Sequence, residues 1–176
     1  MDNVSQVSSG AGHTMSIKNT GSLWAWGDNE YGQLGDGTKT DRLSPVKIMD
    51  NVRLVSCGGL HTMVIKNDGS LWAWGCNENG QLGDGTNINR VIPVKIMDNV
   101  YQVSCGSNHT MIIKNDGTLW ACGSNYFGEL GDGTEIDRSF PVKIASGVKD
   151  VSAKKQYTIF LTAEDELMFV GGFNDK

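Results

Sequence analysis

The sequence predicts an all-β fold, a β-propeller of about four blades, and three observations carry that reading. The chain repeats itself every 48 residues. Each repeat holds four short segments rich in β formers, separated by turn residues. Glycine supplies 23 of the 176 residues and proline only 3; the usual glycine share is ~7 %, so the excess implies many tight turns between short strands.

The repeat is read from its landmarks. Met1-Asp2-Asn3-Val4, Met49-Asp50-Asn51-Val52 and Met97-Asp98-Asn99-Val100 open three copies. His13, His61 and His109 keep the same offset, as do Trp24, Trp72 and Trp120, and Pro45, Pro93 and Pro141. The copies 49–96 and 97–144 share about two-thirds of their residues. A fourth, partial copy covers 145–176 and has drifted, with Tyr157 at the histidine place and Met168 at the tryptophan place. The organisation expected is therefore one propeller segment over 1–176, with repeats 1–48, 49–96 and 97–144 and a partial repeat 145–176.

The second copy illustrates the elements in order. Leu54-Val55-Ser56-Cys57 is a short apolar run ended by Gly58-Gly59. His61-Thr62-Met63-Val64-Ile65-Lys66 is rich in strand formers. Asn67-Asp68-Gly69 is a hairpin signal, because glycine tolerates positive φ. Leu71-Trp72-Ala73-Trp74-Gly75 gives the next strand, with Leu and Ala on one face and both tryptophans on the other. A long polar loop from Cys76 to Asn89 follows, and Pro93-Val94-Lys95-Ile96 supplies a fourth strand, proline being tolerated at a strand start. Both faces of the sheet are apolar, as expected when each sheet lies between two neighbours. Four antiparallel strands in 48 residues is the size of a propeller blade, and no segment longer than a turn reads as helix.

The repeat also identifies which propeller. A Trp-Asp dipeptide, required of WD40 repeats, is absent, since Trp24, Trp72 and Trp120 each precede alanine. Kelch repeats rest on a Gly-Gly doublet in every blade, and here Gly58-Gly59 and Gly171-Gly172 fall at different places. The string that recurs is G-x-x-H-T-M, N-D-G-[ST]-L-W-A-W-G and N-x-x-G-Q-L-G-D-G-T, from Gly58 to Met63, Asn67 to Gly75 and Asn77 to Thr86. It resembles the repeat of the regulator of chromosome condensation family, in the form common among bacterial proteins, and the resemblance runs along the whole chain. The resemblance implies four-stranded blades of a seven-bladed ring. It also implies three functions to weigh: a non-enzymatic protein-interaction scaffold, guanine-nucleotide exchange on a small GTPase, and inhibition of a secreted enzyme such as a β-lactamase. One branch of the family senses ultraviolet light through tryptophans in a Gly-Trp-Arg-His-Thr motif. At that place this chain has Gly10-Ala11-Gly12-His13, Gly58-Gly59-Leu60-His61 and Gly106-Ser107-Asn108-His109, so light sensing does not carry over.

The recurring residues read as structure. His13, His61 and His109 come one per blade, and a repeated ring nitrogen implies a repeated structural bond, expected to reach a backbone group. Asp36, Asp84 and Asp132 recur with Arg42, Arg90 and Arg138 and are expected to tie loops together. The G-Q-L-G-D-G-T stretch could cradle a phosphate only before a helix N-terminus, and no helix follows. Trp24, Trp72 and Trp120 are expected to pack in the core. Specificity is expected where the copies differ. The loop after the W-A-W-G strand reads Asp28-Asn29-Glu30-Tyr31, Cys76-Asn77-Glu78-Asn79 and Ser124-Asn125-Tyr126-Phe127. Asp28, Glu30, Tyr31, Glu78, Asn79, Tyr126 and Phe127 are therefore the candidate partner-binding residues, with the aromatics as anchors.

Composition narrows the function classes. The net charge is −5 with no basic face, which argues against direct nucleic-acid binding. No apolar run approaches the ~18 residues of a membrane span, and the first residues are not expected to act as a signal peptide. Cys57, Cys76, Cys105 and Cys122 form no C-x-x-C pair, so they read as core fillers rather than zinc ligands. No nucleophile–base constellation stands outside the repeated positions, so no enzyme, metal or cofactor is expected, and the partner is expected to be another protein. Grouping each Pro-Val-Lys-Ile segment with the three strands that follow it gives blades Pro45–Gly75, Pro93–Gly123 and Pro141–Gly171, with the first blade short of a strand. About four blades are too few for a seven-bladed ring. The chain then belongs to a longer protein, forms an open arc, or shares a ring with a second copy as a homodimer; a four-bladed ring would need tighter curvature. The compartment stays open between the cytoplasm and export within a longer protein.

Overall fold

A computed structural model describes residues 1–172. Fifteen strands fall in four antiparallel sheets, and the described residues contain no helix. The first sheet orders β1 (Val4–Ser9), β2 (His13–Lys18), β3 (Leu23–Gly27) and β4 (Arg42–Met49) from one edge to the other. The second repeats it with β5 (Val52–Cys57), β6 (His61–Lys66), β7 (Leu71–Gly75) and β8 (Arg90–Met97). The third holds β9 (Val100–Cys105), β10 (His109–Lys114), β11 (Leu119–Gly123) and β12 (Arg138–Ala145). The fourth holds β13 (Val148–Ala153), β14 (Tyr157–Thr162) and β15 (Leu167–Gly171). The blades stand side by side through β1, β5, β9 and β13, and they do not close into a ring.

The strand containing Pro-Val-Lys-Ile closes the preceding three strands rather than opening the next three. Trp72 faces Lys95 and Ala73 faces Val94 across the β7–β8 ladder. The blades are thus Val4–Met49, Val52–Met97, Val100–Ala145 and Val148–Gly171, and among the described residues the blade with three strands is the last, not the first. The physical reason lies in the connections. Between β4 and β5 only Asp50 and Asn51 intervene, with Asn51 at φ 63°, and that left-handed corner turns the chain out of one sheet into the next. The same corner holds Asn3, Asn99 and Gly147, all at positive φ, which explains why the Met-Asp-Asn-Val string recurs and why its fourth copy can use glycine.

Three hydrophobic layers lie between consecutive blades. Met15, Ile17, Leu23, Ala25 and Leu34 from the first blade meet Val52, Val55, Val64 and Trp74 from the second. Met63, Ile65, Leu71, Ala73 and Leu82 meet Val100, Val103, Cys105 and Ile112 in the same way. Met111, Ile113, Leu119, Ala121 and Leu130 meet Val148, Val151, Ala153 and Phe160. Each large side chain so buried contributes roughly 1.5–3 kcal/mol, so the interfaces and not the isolated sheets hold the array. Leu71 and Ala73 do point to one neighbour and Trp74 to the other. Trp24, Trp72 and Trp120 sit near the outer strands instead, only half-buried. Each donates its indole N–H to Ser22, Ser70 or Thr118 and lies under Lys18, Lys66 or Lys114, with Nζ 5.0–5.8 Å from the ring. Trp72 and Trp120 also pack against the hydrophobic layers beside their blades, so lysine stems and hairpin hydroxyls cover the faces that the core leaves open. Cys76, Cys105 and Cys122 are buried and Cys57 is half-buried, all free; burial pushes the Cys57 and Cys105 thiols up to about 12, which keeps them as inert fillers.

Candidate partner-binding rim

Every long loop leaves its sheet at the same end, because β3, β7 and β11 run in the same sense in their blades. The loops 28–41, 76–89 and 124–137 therefore share one rim with the turns between the first two strands of each blade. Those turns are stitched to one another by backbone bonds from Ala11 N to Gly59 O, Gly59 N to Ser107 O and Ser107 N to Lys155 O.

Each loop is built around a buried asparagine. Asn77 is fully buried; its Nδ2 lies within hydrogen-bond range of Asp84 Oδ1 and of the Thr86 and Ile88 carbonyls, and its Oδ1 accepts Leu82 N. Asn29 and Asn125 do the same in their copies. Asp36, Asp84 and Asp132 accept from the arginine six residues on, at 2.6–2.7 Å, so each pair fastens its own loop to the start of its own outer strand. Burial works against ionisation of these carboxyls, but hydrogen bonds from Thr38, Thr86 or Thr134 and from the arginines outweigh it and hold them below the usual carboxylate range. The glycine-rich stretch is a blade-to-blade turn: Gly37 N donates to Val91 O and Gly85 N to Ser139 O, both on the outer strand of the following blade.

The repeated histidines form a lock of a different kind from the backbone bond expected. His13 Nε2 lies 2.9 Å from Thr62 Oγ1, and His61 and His109 stand 3.0 Å from Thr110 and Thr158, each on the next blade. Thr62 has a single hydroxyl hydrogen, and it goes to Gln33 O at 2.9 Å. The imidazole must then donate from Nε2, which fixes the tautomer and leaves Nδ1 without a partner. Burial lowers the His13 and His109 pKa to about 4 and the His61 pKa to about 3, so the rings are neutral at neutral pH. Gln33 O also accepts the Trp74 indole N–H at 2.9 Å. The lock thus joins a strand, a loop and the next blade.

The seven candidate residues lie along this rim, and the structure divides them. Asp28 belongs to the loop frame, accepting Gln33 Nε2 and Glu30 N. Asn79 reaches Asp137 of the next loop at 3.3 Å. Glu30 and Glu78 are exposed, and both raise the pKa of the half-buried Tyr31 phenol, Glu30 the more, so one acidic-aromatic patch spans the first two loops. Tyr126 is 72 % exposed and meets the half-buried Phe127 edge-on, ring centroids 4.9 Å apart. The seven residues thus form two patches along a rim and do not converge on one pocket. The buried Asn29, Asn77, Asn125 and the Gln33 and Gln81 frame escaped the sequence reading as site-shaping residues, although their 48-residue recurrence was a visible signal. Among the described residues, no group of three or more His, Cys, Asp and Glu side chains could hold a metal ion, and no helix is long and apolar enough to cross a membrane.

Residues 1–176 match the family model of the RCC1-like domain. The chain belongs to the RCC1-like family. A 45-residue stretch is 44 % identical to the ultraviolet-B receptor UVR8 of Arabidopsis thaliana, covering 26 % of this chain and 10 % of that protein. Human WBSCR16 superposes with a TM-score of 0.85 at 21 % identity, over 98 % of this chain and 49 % of that one. Prp20p of Saccharomyces cerevisiae, solved with attention to its binding of Gsp1p and histones, gives 0.81 at 23 % identity, over 96 % of this chain and 45 % of that one. The yeast RCC1 complex with Kap60 gives 0.82 at 22 % identity, over 96 % of this chain and 43 % of that one. At these identities the solved structures show the fold. This chain spans under half of the length of each and a tenth of the curated relative.

Proposed function

We propose that this RCC1-like chain is a protein-interaction scaffold that presents its long-loop rim to another protein. The observation that supports it is the division of labour within each loop. The repeated residues, Asn29, Asp36 and Arg42 and their counterparts, spend their polar atoms inside the loop, while the divergent Glu30, Glu78 and Tyr126 point to solvent. A rigid frame with variable exposed groups lowers the ordering cost of binding. Tyr126 and Phe127 offer an aromatic anchor, and Glu30 with Glu78 an acidic flank suited to a partner with a basic surface. Changing Tyr31, Tyr126 and Phe127 together to alanine should leave the melting temperature within a few degrees and reduce partner capture at least tenfold. Undiminished capture by the folded variant would remove the rim from consideration.

A second reading is guanine-nucleotide exchange on a small GTPase, favoured by the likeness to Prp20p, which binds Gsp1p. A nucleotide-release assay over a panel of small GTPases separates the two, since a scaffold leaves the release rate unchanged.

A further inference from the structure

The first strands of the blades, β1, β5, β9 and β13, belong to separate sheets. Each presents an open edge to the blade before it, and side chains of that blade cap the edge. Ser8, Ser56 and Ser104 hydroxyls accept the main-chain N–H of Cys57, Cys105 and Ala153 at 2.9–3.1 Å. Two residues earlier on the edge, the junctions differ. At the first, the Gln6 amide takes both main-chain groups of Val55: Oε1 accepts Val55 N at 3.2 Å and Nε2 donates to Val55 O at 3.1 Å. At the third, Gln102 Nε2 donates to Val151 O at 3.2 Å, and Asp150 Oδ1 accepts Val151 N at 2.8 Å. At the second junction the equivalent side chain is Leu54, which has no amide. Val103 faces Ile112 as Val55 faces Val64, so its N–H and C=O point away from β10 in the same alternation. No side chain among the described residues caps them. A cavity of about 350 Å³ opens at this place, lined by Gln6, Arg53, Leu54, Tyr101, Gln102 and Val103 among others. Arg53 is exposed, and its Nη2 donates to Val100 O at 3.2 Å and Tyr101 O at 2.9 Å. The guanidinium is thereby held at the cavity while Nε and Nη1 keep their hydrogens free among the described residues. The missing cap is a property of Leu54 in the second blade, and both blades that flank the cavity have all four strands.

We propose that this cavity binds a ligand of the N-acylglutamine class, a primary carboxamide joined to a carboxylate. The carboxamide takes the place that the Gln6 amide holds one junction earlier, accepting from Val103 N and donating to Val103 O. The carboxylate meets the free edge of the Arg53 guanidinium, a charge-assisted contact. Arg53 is anchored at Tyr101 and the uncapped pair belongs to Val103, two residues along one strand and so roughly 7 Å apart. The three carbons between the two ends of glutamine bridge that spacing. Leu54 and the Tyr101 ring, 53 % exposed, supply the apolar walls. A concave site with a few placed polar groups is the usual form of a small-ligand pocket. No Asp or Glu side chain lines the cavity, so nothing there matches the ammonium of the free amino acid, and an acylated nitrogen fits better. That chemistry has two sources, a small N-acylglutamine and the last residue of a peptide ending in glutamine.

The test titrates the intact protein with N-acetyl-L-glutamine and follows the amide NMR spectrum. Saturable shifts centred on the Val103 amide are expected. N-acetyl-L-glutamate, which lacks the amide donor, and N-acetyl-L-glutaminamide, which lacks the carboxylate, should each bind at least tenfold more weakly. Leu54→Gln supplies the cap already present at the first junction, so the variant should fold and lose the Val103 response. Arg53→Gln should weaken N-acetyl-L-glutamine at least tenfold and leave N-acetyl-L-glutaminamide unchanged. A peptide ending in glutamine tells the two sources apart: at least tenfold tighter binding than N-acetyl-L-glutamine supports the site with a peptide terminus as occupant, and equal or weaker binding supports it with the small molecule. Absence of a saturable shift, equal binding of the glutamate analogue, or undiminished binding by the folded Leu54→Gln variant would overturn the assignment.

Discussion

Histidine and threonine at each blade junction show how one residue pair can set both stability and its pH dependence. Thr110 accepts from His61 and donates to Gln81 O at 2.8 Å. Thr110→Val keeps the shape, leaves a buried imidazole N–H unpaired and leaves the Gln81 carbonyl with the weak Cys122 thiol donor alone, which costs about 1–3 kcal/mol; urea denaturation should show the midpoint fall without a change of slope. The histidines also predict acid sensitivity. Their folded pKa lies below the ordinary 6.5, at about 4, 3 and 4, so between these values the unfolded chain binds more protons. Stability is full above pH 6.5 and falls as the pH drops toward 4, by on the order of 3 kcal/mol for each histidine. The depressed carboxyls of Asp36, Asp84 and Asp132 act in a lower window, below their unfolded value near 3.8. Unfolding followed from pH 8 to pH 4 should therefore show a loss that a His61→Gln variant displays less steeply. In the sequence the histidines were visible as structural by their recurrence. Their partner was not, because the threonine lies 49 residues away and a linear reading favours nearer groups.

At the scale of the element, the loops and corners carry the design, and polar residues carry the loops. Asn77→Leu removes five polar contacts from a fully buried site and strands Leu82 N; a loss of about 2–4 kcal/mol is expected, with local exchange at 76–89 rising first. Gly75 supplies a second case. It sits at φ +100°, and a Cβ there would stand 2.6 Å from Leu60 O and 2.9 Å from His61 Cα. Gly75→Ala should destabilise by about 2 kcal/mol or more, measured by the same denaturation. Strand existence was legible from Leu71-Trp72-Ala73-Trp74, whose period of two and hairpin glycine leave little choice. The assignment of the Pro-Val-Lys-Ile strand to a blade was not. A 48-residue period has no marked beginning, and only the pairing of Trp72 with Lys95 decides that the outer strand folds back onto its own hairpin. Trp72 packs against the first hydrophobic layer as expected, but its outer face is covered by the Lys66 stem, which a linear reading does not show.

Across the whole molecule, the four blades behave as a one-dimensional array in which each junction holds its neighbours. Inner blades have two junctions and outer blades one, so protection should be graded. Amides of β6 and β10 are expected to exchange slowest, and those of β15, with Leu167, Met168 and Phe169 exposed, fastest; uniform protection factors would contradict this. The junctions are alike in hydrophobic content yet differ at several positions: Val64, Ile112 and Phe160 stand at one equivalent place, and Trp74 at the first is replaced by Cys122 at the second and Val170 at the third. Trp74 is the tryptophan buried to 0 %, and its indole N–H is tied to the Gln33 carbonyl, whereas the other four are partly open to water. Its emission is consequently a blue component among redder ones, and Trp74→Phe should delete that component alone. Nature has in effect placed a spectroscopic reporter at a single joint of the array, so fluorescence during unfolding dates the parting of the first two blades independently of the rest.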